Sequence, residues 1–272
     1  MLRTIAVVLL STLATNVTAK DISFGIVPQQ SAKKLASKWG PIFQYLNDKT
    51  GHQITFSTAK DIPSFELRLL EGQYDMAYMN PYHFTVFNQK PGYSAFAKQK
   101  DKKIKGIIVV PKDSPIEDLS ELNTKVLAFP SPAAFAASVL PRAKLEQDGI
   151  KVTPSYVSSH DSVYIGVSKG FFVAGGGVYR TFGNAAPEVT EQLRVLWETP
   201  AYTPHAFAYN PNLDKAVVND IQQAMLGMNT DPEGQKLLKS INFKGIVTAQ
   251  DSDWDDVRQL NIKLLQPLLS KE

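Results

Sequence analysis

The chain has 272 residues, with 29 Lys and Arg against 26 Asp and Glu, a net charge of +3 and no cysteine. That unpatterned balance excludes the electrostatic footprint of a nucleic-acid binder, and the missing thiols exclude disulfides, thiolate metal sites and lipid attachment through cysteine. At this length one hydrophobic core is stretched, so two lobes are expected.

Arg3 precedes an apolar stretch from Ile5 to Leu10 and a small-residue tail ending Val17-Thr18-Ala19, which predicts a secretory signal peptide over residues 1–19. Its apolar core, Thr4 to Leu13, is about half of the ~20 residues that span a bilayer. The mature chain is therefore expected to start at Lys20, free in the periplasm, unlipidated and not inserted in a membrane.

From there β-prone runs alternate with amphipathic stretches: Ile22 to Val27, a helix over Lys33 to Lys49, Gln53 to Thr58, a helix over Ser64 to Glu71, then Met76 to Met79. Pro28 stops the first strand, and Gly51 follows the first helix as a C-terminal cap. Met79-Asn80-Pro81-Tyr82 ends the third strand and places Asn80 and Tyr82, with Tyr78 nearby, at the lip of a first lobe.

The pattern continues through Ile107 to Val110, Val126 to Phe129, a helix over Ala133 to Gln147, Val152 to Val157, a helix over Ser162 to Ser168, and Phe171 to Val178. Then come a short helix near Thr181, Arg194 to Glu198, Ala206 to Tyr209, and helical segments near Leu213, Pro232 and Asp253. Such alternation predicts βαβ units and an α/β protein. The β-prone segments Lys103 to Pro111 and Trp197 to Pro211 read as crossings between lobes. They divide the chain into a discontinuous first lobe, residues 20–106 and 205–272, and a second lobe, residues 107–204. The alternative is a single doubly wound domain.

Several short motifs carry chemistry. Ser131-Pro132-Ala133-Ala134 joins a strand to a helix, with Ser131 as N-cap. The Ser131 hydroxyl and the N–H groups of Ala133 and Ala134 form either a plain cap or an anion site. Ser158-Ser159-His160-Asp161 opens the next helix, with Asp161 capping and His160 either donating into a cleft or lying on the surface. Gly175-Gly176-Gly177 is either a ligand-facing loop or a tight turn, and Arg180 beyond it either grips an oxyanion or lies in solvent. Gly166-Val167-Ser168-Lys169-Gly170 has the spacing of a hydrolase nucleophile, but the helix precedes the serine, so Gly170 reads as a helix cap. The histidine spacing calls for no metal, and no cofactor is implied.

Taken in order, these segments resemble the periplasmic binding proteins of phosphonate and phosphite importers. Phe24-Gly25-Ile26-Val27-Pro28 is similar to the family's opening strand. Glu71-Gly72-Gln73-Tyr74-Asp75-Met76-Ala77 with Asn80-Pro81-Tyr82 is similar to its central stretch, and Ser159-His160-Asp161 matches its Ser-His-Asp. The resemblance runs from about residue 22 to 245. It implies a type II clamshell of two α/β lobes, each with a mixed, mostly parallel sheet. It also implies an oxyanion held by Ser131, His160 and Tyr82.

The departures from that pattern are specific. Ser131-Pro132-Ala133-Ala134 stands where the family has Ser-Thr-Ser-Gly, Ile62 where it has a tyrosine, and Val178-Tyr179-Arg180 where relatives carry a carboxylate for an amine. The resemblance thus implies capture of a small anionic ligand at an altered site. The partner is the membrane part of an ABC importer or, alternatively, a membrane sensor. A serine hydrolase using Ser168 or a Ser131/His160 pair is the rival reading.

Overall fold

The computed structural model describes residues 19–270. All of the expected signal peptide but Ala19 lies outside the described residues. Strand β1 (Asp21–Ile26) leads through helix α1 (Ala32–Thr50) to β2 (Gln53–Ser57), and α2 (Ile62–Leu70) leads to β3 (Met76–Met79). Helix α1 is capped by the Ser31 hydroxyl, which accepts from the Lys34 N–H, and it ends on Gly51 at φ 73°. Helix α3 (Pro81–Phe87) then precedes β4 (Ser94–Gln99).

After the first crossing come β5 (Gly106–Pro111), β6 (Val126–Phe129), a π-helical turn over Phe135–Val139, α4 (Leu140–Gln147), β7 (Thr153–Tyr156), α5 (His160–Ser168) and β8 (Gly175–Val178). Two short helices, α6 (Tyr179–Phe182) and α7 (Pro187–Thr190), precede β9 (Leu193–Glu198). The chain then returns through β10 (Ala206–Tyr209), α8 (Lys215–Gly227), α9 (Pro232–Ser240) and β11 (Ile246–Thr248).

The strands form two mixed sheets, ordered β11-β4-β10-β3-β1-β2 and β7-β6-β8-β5-β9. Pairs joined through a helix, β1 with β2 and β3, and β6 with β7 and β8, run parallel. Antiparallel pairs gather where the chain changes sheet: β10 with β3 and β4, and β5 with β8 and β9. The two crossings pair with each other. Ile104 and Tyr202 exchange backbone hydrogen bonds of 2.8 and 3.0 Å, and the Gly106 N–H donates to the Thr199 hydroxyl at 2.9 Å. The described residues thus form two α/β units, one around each sheet, joined by two crossing segments that pair with each other.

Strand β5 shows how helices cover both faces of the second sheet. Ile107 and Val109 pack with Val163 and Val167 on one side, while Ile108 and Val110 pack with Leu127 and Leu145 on the other. The main apolar cluster centres on the first sheet, around Phe24, Trp39, Phe43 and Phe207, yet it also takes in Ala133 to Ala137 and Val178 from the second. Apolar packing therefore crosses from one sheet to the other.

Three expectations need correction here. The helix expected from Ala133 starts at Phe135 as a π turn, and Ser131 does not cap it: the Ala134 N–H donates to the Ser131 carbonyl, while the buried Ser131 hydroxyl has no partner among the described residues. Gly175-Gly176-Gly177 is neither loop nor turn but the body of β8. A Cβ on Gly176 would stand 1.9 Å from the Ala137 carbonyl oxygen, and one on Gly177 2.3 Å from the Tyr164 hydroxyl. The glycines let the π turn and α5 press directly onto the strand. Finally, Phe171 to Val173 lies outside the strand, with Phe171 73% exposed.

Candidate functional site

The carboxyl ends of β1, β3, β6 and β8 all point toward the seam between the two sheets, where open α/β folds place ligands. After β1, Pro28 turns the chain and leaves Gln29 and Gln30 buried at the seam. After β3, the Asn80 side chain caps α3 by accepting from the His83 N–H at 2.8 Å, and its amide lies 3.4 Å from the Ala133 carbonyl across the seam. Helix α5 is capped by Ser159, whose hydroxyl accepts from the Ser162 N–H. Asp161 was expected in that role. It sits instead in the first helical turn and spends its carboxylate across the seam, accepting from the Gln30 amide at 3.0 Å and pairing with Lys34 at 3.7 Å.

His160 is the centre of the arrangement. Its N–H donates to the Gln29 carbonyl at 3.0 Å, and its ring Nδ1 meets the Thr181 hydroxyl at 3.0 Å. Thr181 is in turn 2.7 Å from the Tyr164 hydroxyl, so a buried chain of hydroxyls orients the imidazole. When Thr181 donates to Nδ1, the ring carries its proton on Nε2 and can offer it to an anion. Burial, reinforced by the Arg180 charge, pulls the His160 pKa down to about 3, so the ring is neutral at pH 7.

Arg180 is half-buried rather than in solvent. Its guanidinium donates to the Gln29 side-chain carbonyl and stands 5.9 Å from the Tyr78 ring. Tyr78 is fully buried and stacks on His205, with ring centres 4.9 Å apart. Around these groups the two sheets enclose a cleft lined by Val27, Gln29, Ile62 and Asn80 from one side and by Ala134 to Ala137, His160 and Val178 from the other. In this closed arrangement its volume is about 10 Å³, roughly a single water.

The structure thus brings Asn80, Ala134, His160, Asp161 and Arg180 together, with Tyr78 and Ala133 against them. Tyr82 does not join them. Helix α3 is buried along its length, and the Tyr82 hydroxyl accepts from the Leu265 N–H at 2.8 Å, away from the cleft. Gln29, Gln30, Thr181 and His205 were not anticipated. The polar pair following Pro28 at a strand end was the available signal for the first two. Ser168 caps nothing catalytic: its hydroxyl donates to the Ile165 carbonyl at 3.0 Å, and Gly170 at φ 74° terminates the helix.

The sequence profile described as "ABC transporter, phosphonate, periplasmic substrate-binding protein" matches residues 24–254. The "Phosphate-import protein PhnD" of Mycolicibacterium smegmatis is 20% identical over 283 residues, covering 89% of this chain and 85% of that protein. The "Phosphonates-binding periplasmic protein" of Escherichia coli is 21% identical, covering 89% and 76%. Among solved structures, a binding protein component of a phosphonate ABC transporter from Pseudomonas aeruginosa superposes with a TM-score of 0.82 at 17% identity, over 90% of this chain and 86% of that one. PhnD1 of Prochlorococcus marinus, in complex with methylphosphonate, gives 0.81 at 18% identity, over 90% and 98%. Fold, strand-end geometry and a match over most of the chain agree: this protein belongs to the periplasmic substrate-binding proteins of phosphonate ABC transporters.

Proposed function

We propose that the protein is exported through a cleaved signal, remains unlipidated, and captures a small anionic ligand between its lobes for an ABC importer without transforming it. The observation that carries this reading is the seam itself. His160 and Arg180 from the second lobe meet Gln29 from the first, so a ligand lodged there contacts both lobes at once and favours their closure. Hydrolysis has no support, because neither Ser168 nor Ser131 is hydrogen-bonded to His160.

The ligand site is altered relative to the family pattern. Pro132 has no N–H, the Ala134 N–H is taken by the Ser131 carbonyl, and Ile62 lines the cleft without a polar atom. A buried phosphonate dianion needs nearly all of its lone pairs satisfied. At ~1.5–3 kcal/mol per charged hydrogen bond, three absent donors weaken it by several orders of magnitude. The His160 ring, with the Arg180 charge beside it, is the donor left at the cleft and suits a single monoanionic group such as a carboxylate on an apolar body.

Calorimetry with phosphite, methylphosphonate and 2-aminoethylphosphonate is expected to give dissociation constants weaker than about 100 µM, on the order of 5.5 kcal/mol. A submicromolar value for any of the three overturns the altered-site reading. His160→Ala is expected to abolish binding of whichever anion a thermal-shift screen identifies.

A further inference from the structure

On the hinge side the cleft opens into a larger cavity of about 240 Å³, close to the lower end of ordinary ligand pockets. The two adjoin, with Ile104, Val178 and His205 lining both. The cavity's inner end is built by Tyr78, His205 and Arg180, and its mouth by Lys102, Lys103 and Lys105, on the crossing segment of the hinge.

The charges here do not balance. Lys103 pairs with Asp256 at 3.6 Å and Lys105 with Glu198, but no carboxylate lies within 4 Å of Lys102 or Arg180 among the described residues. No acidic residue lines the cavity at all. Independently, His205 is 3% exposed, and its buried Nε2 has no hydrogen-bond partner among the described residues. A polar ring atom left unpaired in the interior is costly unless something completes it. A cavity with two uncompensated cations and an unmatched imidazole nitrogen is complementary to an acidic group and repels an amine.

We infer that this hinge cavity receives a second acidic group of the ligand, so that the substrate class is a small α,ω-diacid. A carboxylate reaches His160 once the lobes part enough to widen the water-sized cleft, and a second carboxylate or a phosphonate lies against Arg180, His205 and Lys102. This rests on the reading of the cleft as the ligand site. The charge of the cavity then sets specificity at the far end of the ligand, where an ammonium group meets Lys102 and Arg180 and no lining carboxylate among the described residues.

The test is calorimetry of the mature protein with four compounds sharing a carboxylate and a three-carbon-scale body: 3-phosphonopropionate, glutarate, butyrate and 4-aminobutyrate. The diacids are expected to bind at least tenfold more tightly than butyrate, and 4-aminobutyrate more weakly still. Lys102→Glu, at an exposed side chain outside any ion pair among the described residues, is expected to erase most of the advantage of the diacids over butyrate. Arg180→Gln, which removes a charge beside His160 as well as one lining the cavity, is expected to weaken the diacids and butyrate alike. Butyrate binding as tightly as glutarate, or Lys102→Glu leaving the diacids unchanged, overturns this inference while the solute-binding reading stands. Absence of any binding or compaction across all four removes both.

Discussion

Gly176 has no room for a side chain. A Cβ there would stand 1.9 Å from the Ala137 carbonyl and 2.7 Å from the Phe129 ring. Neither neighbour is a flexible tip, so Gly176→Ala is expected to cost about 3 kcal/mol, at the upper end of overpacking penalties. Gly51→Ala is the contrast. Nothing lies within 4 Å of its Cβ position, and only the left-handed φ of 73° opposes the change, so the expected loss is roughly 1 kcal/mol. Urea denaturation of both variants checks the ranking, and equal midpoints would show that the approach of the π turn to β8 is not what demands glycine. The same residues mark what sequence leaves unread. Three consecutive glycines signal a turn or loop by local propensity. Here their reason is distant in the chain, the close approach of Val163, the Ala137 carbonyl and Tyr164. Gly51, whose reason is local, was legible. So were Asn80 as a strand-end polar residue and His160 as the start of α5, whereas His205 and Thr181 gained their roles only from folding.

The π turn and α5 hold the seam at the level of whole elements. Three side-chain contacts cross it next to α5: Arg180 to Gln29, Gln30 to Asp161, and Lys34 to Asp161. Each ordinary hydrogen bond contributes about 1 kcal/mol and the partly exposed ion pair less. Removing all three shifts the balance between closed and open lobes by at least about tenfold. The double variant Gln29→Ala with Asp161→Ala is therefore expected to show a larger radius of gyration by small-angle scattering than the parent, and full compaction of the variant would mean that apolar contact alone closes the seam. Helices α1, α5 and α8 and the strand alternation were readable from hydrophobic periodicity. The late start of the Phe135–Val139 turn was not. Ser-Pro before an alanine-rich run has every local mark of a capped α-helix, and the competing influence is contact with β5 and β8, which periodicity does not encode.

For the molecule as a whole, the buried histidines link stability to pH. His160 is depressed to about 3 by burial and then by Arg180. His205 lies well below its ordinary value through burial, Arg180, His83 and His160, in that order. A histidine kept neutral in the fold adds nothing above its unfolded pKa of about 6.5, where both states are neutral. Below that, the unfolded chain takes up a proton that the folded one refuses, so stability falls as pH drops toward 3. Between pH 6.5 and 5, His160 alone accounts for about 2 kcal/mol, from 1.36 kcal/mol per unit. Unfolding free energies by urea at pH 7 and pH 5 should differ by at least that amount, and His160→Asn should lessen the difference. A flat profile between those values would place a charged, solvated imidazole at position 160.

The apolar cluster that runs from the first sheet into Ala133 to Ala137 and Val178 also bears on transport economy. A pair of jaws lined with carboxylates or bare amides separates in water until a solute supplies the missing partners. These jaws meet on alanines and valine as well as on hydrogen-bonded side chains, so apolar burial adds to the polar contacts in favouring the shut form. An arriving solute finds its place only in the fraction of molecules that stand ajar, and its apparent dissociation constant rises in inverse proportion to that fraction. Tight capture then requires the solute to outcompete contacts the protein already makes with itself. The same property sets a problem of recognition for the importer, since outline alone distinguishes a laden carrier from a shut one poorly.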